Sequence, residues 1–176
     1  MGINEIYFQI ADTANAEQIA NLVNSAYRGE SSKRGWTTEA DLLGGQRTDA
    51  ARIRECILRP HSVIILVLNV NHILGCVHVE QVGRECHLGM ITVEPQYQGV
   101  GLGKKIVAAA EQFALEKWKS EAISMSVITL RTELISWYER RGYLKTGKFE
   151  NFPYDDQGFG IPKREDLRFE ILRKVF

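Results

Sequence analysis

The chain predicts an α/β (α+β) fold: one domain over residues 1–176, with a mostly antiparallel sheet of about seven strands flanked by about four helices. Three observations carry this. Segments with apolar residues at helical spacing interleave with runs rich in Val and Ile. Three of those runs follow one another with only Asn69-Val70-Asn71-His72 and Gly83-Arg84 between them, links that suit antiparallel neighbours. At 176 residues and 44% apolar content, the chain can build one full core and not two comfortable ones.

Taken in order, Ile6 to Ile10 reads as a first strand. Asp12 or Thr13 can cap a helix that carries Ile19, Leu22, Val23, Ala26 and Tyr27 on one face. The stretch GESSKRGWTTEADLLGGQRTD breaks the pattern and reads as a functional loop with a short helical turn. A second helix follows from about Ala50 to Leu58, stopped by Pro60. Ser62 to Leu68, Ile73 to Val82 and Glu85 to Val93 are β-branched runs. Gly at the first central position of Gly83-Arg84 suits a type II′ turn, so Val82 faces Glu85, Gln81 faces Cys86 and Glu80 faces His87. Pro95 ends that strand. Leu102, Ile106, Ala110 and Phe113 then mark a helix to about Trp118. Ala122 to Ile128 is a strand, Glu133 to Arg141 a helix ended by Gly142, Tyr143 to Glu150 a strand, NFPYDDQGFGIP a loop, and Leu167 to Val175 the closing strand.

Composition removes several function classes. Lys plus Arg (22) balance Asp plus Glu (22), unlike the basic footprint of a nucleic-acid binder. Cys56, Cys76 and Cys86 are odd in number and form no C-x-x-C pair, which argues against a disulfide framework or thiolate zinc; no metal is expected. The longest strongly apolar stretch, Val63 to Leu68, is far short of a membrane span. No charged-then-apolar segment opens the chain, and Ile6 stands where a Met1-Gly2 myristoylation signal needs Ser or Thr, so a cytoplasmic location is expected.

The stretch VEPQYQGVGLGKKIVAAAEQFA sets three glycines and two lysines ahead of an alanine-rich helix. A P-loop reading fails because Gly99 to Gly103 is one residue short and Lys105 replaces the hydroxyl. A dinucleotide fingerprint fails because the glycines run G-x-G-x-G after an antiparallel meander. What remains is Gln98-Gly99-Val100-Gly101-Leu102-Gly103, a Q-x-x-G-x-G pattern between a strand ending in Val-Glu-Pro and a helix. Glycines bring backbone amides close to an anion, and a helix start offers unpaired N–H groups with positive dipole potential. Lys104 and Lys105 in a first turn oppose the macrodipole by about 0.3–1 kcal/mol each unless an anion is near. A plain glycine turn with solvated lysines is the alternative.

This pattern resembles the coenzyme A site of the GNAT superfamily of N-acetyltransferases, and the order of elements is similar to the GNAT fold, a mixed sheet, over nearly the whole chain. ISWYERRGY resembles the family's aromatic-Tyr-x-x-x-Gly-Phe segment, with Tyr138 on the family's acid tyrosine and Tyr143 where Phe is usual. The resemblance implies acetyl-CoA as co-substrate, held by Gln98, Gly99, Val100, Gly101, Leu102, Gly103 and Lys104 and by main-chain groups around Ile91, Thr92 and Val93, where one strand splays from the next. Arg131 departs from the Asn that many members carry before the tyrosine.

The chemistry needs a proton donor for the departing thiolate and an acceptor for the amine's proton. A phenol with a reference pKa near ~10 can donate without ionising at neutral pH, which suits Tyr138. An alkylamine is protonated at pH 7, so a carboxylate, a histidine or a water relay must take a proton; Glu80 and His87 are the candidates by register. A small-molecule or peptide amine is expected between the early loop and the late strands, where Tyr27, Trp36, Glu39, Asp41 and Phe159 can form walls. No cysteine sits in a nucleophile setting, which favours direct attack. A catalytically silent acyl-CoA sensor of the same fold is the other class, and edge-strand pairing leaves a homodimer open.

Overall fold

Alternation of β-branched runs with amphipathic segments gives a seven-stranded sheet covered on both faces. The computed structural model describes residues 5–176; Met1 and Gly2 lie outside them. In chain order the elements are β1 (Tyr7–Ile10), α1 (Ala16–Tyr27), α2 (Gly29–Ser32), β2 (Leu43–Gly44), α3 (Ala50–Leu58), β3 (Ser62–Asn69), β4 (His72–Val82) and β5 (Glu85–Val93). Then come α4 (Leu102–Trp118), β6 (Ala122–Ile128), α5 (Thr132–Glu139), β7 (Leu144–Asn151), β8 (Ile161–Pro162) and β9 (Arg168–Val175).

The main sheet has the order β1-β3-β4-β5-β6-β9-β7. Only the β5–β6 pair is parallel, so the sheet is mixed and mostly antiparallel. Gly83 takes φ +63° and the β4–β5 register sets Glu80 opposite His87, Gln81 opposite Cys86 and Val82 opposite Glu85, as the turn predicts. On one face, Ile19 and Val23 of α1 and Ile53 of α3 pack on Ile64, Leu66 and Cys76. On the other, Ile106 and Ala110 of α4 and Ile135 and Tyr138 of α5 pack on Val77, Leu88, Ile123 and Met125. Each such large apolar side chain contributes roughly 1.5–3 kcal/mol by leaving water.

Two features position the site. First, β5 and β6 pair only from Glu85–Ala122 to Leu88–Met125; past Leu88 the strands part and leave a notch. Second, β2 and β8 pair as a separate two-stranded sheet, Leu43 opposite Pro162 and Gly44 opposite Ile161, and tie the early loop to the late one. Lys163 reinforces this tie, its N–H donating to the Leu42 carbonyl at 2.9 Å and its Nζ to the Ala40 carbonyl at 2.6 Å. Both strands lay in segments expected as loop, since two residues carry no periodicity to read. Among the described residues, no helix is long and apolar enough to cross a membrane.

Candidate active site

The glycine bend forms a left-handed crook, with Gly99 at φ +81° and Gly101 at φ +87°. Gly101 is the N-cap of α4, and no side chain caps the first turn, so its leading amides are left for another acceptor. Gly99, Gly101, Gly103 and Lys104 line one cleft together with Ile91, Thr92, Val93 and Tyr138. Val100 and Leu102, expected beside the cofactor, do not line it: Val100 is 65% exposed and Leu102 is buried in the core. Gln98 lines the cleft, yet its amide serves the fold. Oε1 accepts from the Trp36 and Thr37 N–H groups at 2.7 and 3.3 Å, and Nε2 donates to the Val93 carbonyl at 3.1 Å. Gly35 permits this closeness, because a Cβ there would lie 2.5 Å from Oε1.

At the notch, Met90 takes φ +48° and the β4–β5 register shifts between Cys76 and His78, so β5 bends away from β6. The Ile91 carbonyl accepts from the Tyr27 hydroxyl at 2.9 Å. Within a strand, a residue's N–H and C=O point to the same side, so the Ile91 and Val93 amides face the notch as their carbonyls do.

Tyr138 is 4% exposed, packed edge-on against Trp137 and Tyr143 at centroid distances of 5.0 and 5.9 Å. Burial pushes its phenol well above the ordinary value, and the charges of Arg131 and Arg141 offset only part of that. No hydrogen bond to its hydroxyl is found among the described residues. Four cations line this first cleft: Lys104, Arg131, Arg140 and Arg141. Arg141 lies over the Trp137 ring, 3.3 Å from its centroid, and its Nε is buried without a partner. Arg131 is committed elsewhere, donating to Glu39 at 2.7 Å and to Thr37 at 2.8 Å.

A second cleft opens on the other side of Tyr138, lined by Tyr27, Arg47, His87, Glu150, Phe159 and Phe169 among others. The two clefts share Tyr27, Ile91, Arg131, Leu134 and Tyr138. His87 lies in the second cleft, its Nδ1 3.3 Å from the Ser124 hydroxyl. Burial lowers its pKa, while the charges of Glu150 and Glu80 pull the other way. Glu80, its register partner, lines neither cleft and accepts from Arg59 at 3.1 Å.

The expected acceptor walls divide. Tyr27 and Phe159 line the second cleft, whereas Trp36 lines the first, 6.4 Å from Trp137. Asp41 is exposed, 3.8 Å from Lys33. Glu39 is buried between Arg28, at 2.5 Å, and Arg131, so its charge is already matched. Burial would raise its carboxyl, but Arg131, Arg28 and Arg47 outweigh burial and hold it below the usual range. Arg47, Glu150, Arg140 and Arg141 also line the clefts and were not among the expected site residues. The pair Arg140-Arg141 next to the tyrosine was a readable signal; nothing local marked Arg47 or Glu150.

Burial disfavours all three thiolates, pushing Cys76 up to about 12 and likewise raising Cys56 and Cys86. Among the described residues, no group of three His, Cys, Asp or Glu side chains is placed to hold a metal ion.

Comparison with known proteins bears on the fold and the family. The chain covers 69% of its own length and 66% of a protein from Bacillus anthracis str. Ames assigned as a streptothricin acetyltransferase and solved with acetyl coenzyme A, at TM-score 0.57 and 23% identity. It superposes on the spermidine/spermine N-acetyltransferase from Vibrio cholerae at TM-score 0.69 and 13% identity, covering 98% of this chain and 94% of that one. The ribosomal-protein-S18-alanine N-acetyltransferase from Escherichia coli gives 0.70 and 13%, with 97% and 94% covered. No curated protein matches. The model of the acetyltransferase (GNAT) family matches residues 17–143, a span that holds the crook, the notch and Tyr138, and the chain belongs to that family.

Proposed function

We propose that the protein moves an acetyl group from acetyl-CoA to a primary amine of a small molecule or peptide, by direct attack with general acid and base assistance. The single observation that carries this reading is the meeting of two clefts at Tyr138, whose ring is buried and whose hydroxyl stays protonated with no hydrogen bond among the described residues. The residues of the first cleft fit the cofactor: uncapped amides at the start of α4, the crook of Gly99 and Gly101, and the cations of Lys104, Arg140 and Arg141 suit phosphoryl groups, while the Ile91 and Val93 amides suit the arm and the acetyl carbonyl. Bound acetyl-CoA supplies the acetyl group as a thioester, whose C–S bond breaks as the amine's N–C bond forms and a thiolate is left to be protonated.

The chain's own groups handle the protons. Tyr138 holds its proton at Oη across the physiological range and is positioned to donate it. His87 is neutral at pH 7 because burial lowers its pKa, so its imidazole can take the amine's proton directly or through water. The test is thiol release from acetyl-CoA with a panel of amines. Release that rises with an acceptor supports transfer; release fixed at background for every amine, with coenzyme A still bound, makes the chain an acyl-CoA-binding module.

A further inference from the structure

The geometry points to an acceptor that bears a carboxylate as well as its amine, with Arg47 as the residue that receives the carboxylate. This rests on the acetyl-transfer reading above and narrows it. The charged side chains lining the acceptor cleft are Arg28, Arg47, Arg131, Glu39 and Glu150. Arg28 and Arg131 both bind Glu39, so that carboxylate matches their charge, and only the buried Nε of each is left without a partner. Arg28 also donates to the Phe159 carbonyl at 2.9 Å, which fixes the late loop over the cleft.

Arg47 is different. Its guanidinium lies 5.7 Å from the Tyr27 ring centroid and 5.5 Å from that of Phe159, and it forms no ion pair among the described residues. Two aromatic rings flank the planar fork of this half-buried side chain, which leaves its donors available for a bidentate acceptor. Tyr27, the ring beneath it, is the residue whose hydroxyl reaches Ile91 at the notch, so the cation stands one side chain from the transfer point. Among the described residues lining this cleft, the other charge without an ion pair is Glu150, whose carboxylate accepts from Ser126 at 3.1 Å and suits an ammonium arriving from solvent. With His87 neutral, three arginines face two carboxylates. A polyamine would bring its second cation toward Arg47, whereas an amino-acid-like molecule satisfies both ends.

The experiment compares matched acceptors with the full chain and acetyl-CoA: 5-aminopentanoate against pentylamine, lysine against cadaverine, and alanine against ethylamine. A carboxylate member should lead its partner by roughly tenfold or more in kcat/KM, the range of a charged hydrogen bond. Arg47→Gln should bring that ratio to within about threefold, chiefly through KM, and Arg47→Lys should retain part of it. Carboxylate-free amines served equally or better, or a ratio untouched by Arg47→Gln, overturns the inference while leaving acetyl transfer intact. Absence of thiol release with every amine overturns both, and the two failures are distinct in the data.

Discussion

At Tyr138, burial and position act together: the same packing against Trp137 and Tyr143 that places the ring in the core also keeps its hydroxyl protonated where the clefts join. Tyr138→Phe should therefore lower kcat by about a hundredfold or more, the scale of one positioned proton donor, with coenzyme A affinity within a few-fold of wild type by calorimetry. Equal turnover would remove the phenol from the mechanism. The two candidate bases separate in the same way. His87→Ala should flatten the acidic limb of kcat/KM, whose midpoint lies below the ordinary histidine value because burial disfavours the imidazolium. Glu80→Gln, which only loses a half-exposed pair with Arg59, should keep the wild-type midpoint. The reverse pattern would transfer the role to Glu80. Register placed these residues opposite one another, but it could not say that Arg59 draws one aside, since that contact comes from a helix distant in sequence.

Among the elements, the crook and α4 carry the cofactor argument, and there local rules were enough. Pro95, the glycines and the apolar spacing from Leu102 predict a bend, a helix start and a core face, and β5, α4 and β6 begin and end within a residue of expectation. Gly101 is the sensitive point, since φ +87° is costly for any residue with a Cβ. Gly101→Ala should cost about 1–2 kcal/mol in chemical denaturation and weaken coenzyme A binding more than it weakens folding. A variant with normal affinity would mean the crook does not hold the cofactor. What stayed illegible lies where elements far apart in sequence meet. The β2–β8 pairing is two residues long, the Gln98 amide turned out to brace Gly35–Thr37, and Trp36 moved to the cofactor side with it. Arg47 gained meaning only when Tyr27 and Phe159, far apart in sequence, came to flank it.

For the whole molecule, two buried groups and one half-buried group, His78, Glu39 and His87, bias the response to acid in one direction. Burial lowers His78 to about 4, its Nε2 held 2.7 Å from the Ser62 hydroxyl, and burial also lowers His87. A histidine with a depressed folded pKa takes up its proton less readily than the unfolded chain does. As pH drops below the unfolded value of about 6.5, the unfolded state therefore binds more protons and stability declines. Glu39 adds the same sign lower down, because its carboxyl is held below the unfolded value of about 4.3 by Arg131, Arg28 and Arg47 against the opposing effect of burial. Its contribution is present above that value and lost as pH falls through the folded one. The urea midpoint should thus decrease from pH 7 to pH 5 and decrease further below pH 4. His78→Gln, which can keep a hydrogen bond to Ser62, should remove the larger part of the first decline, up to about 3 kcal/mol at pH 4 from the shift of His78. Glu39→Gln should leave that first slope in place but lower stability at every pH above 5 by about 3–5 kcal/mol, because two arginines lose a buried carboxylate. Midpoints that stay level between pH 7 and pH 5 in the unmodified protein would mean that neither histidine is neutralised by the fold, and His87 would then lose its standing as a neutral base as well.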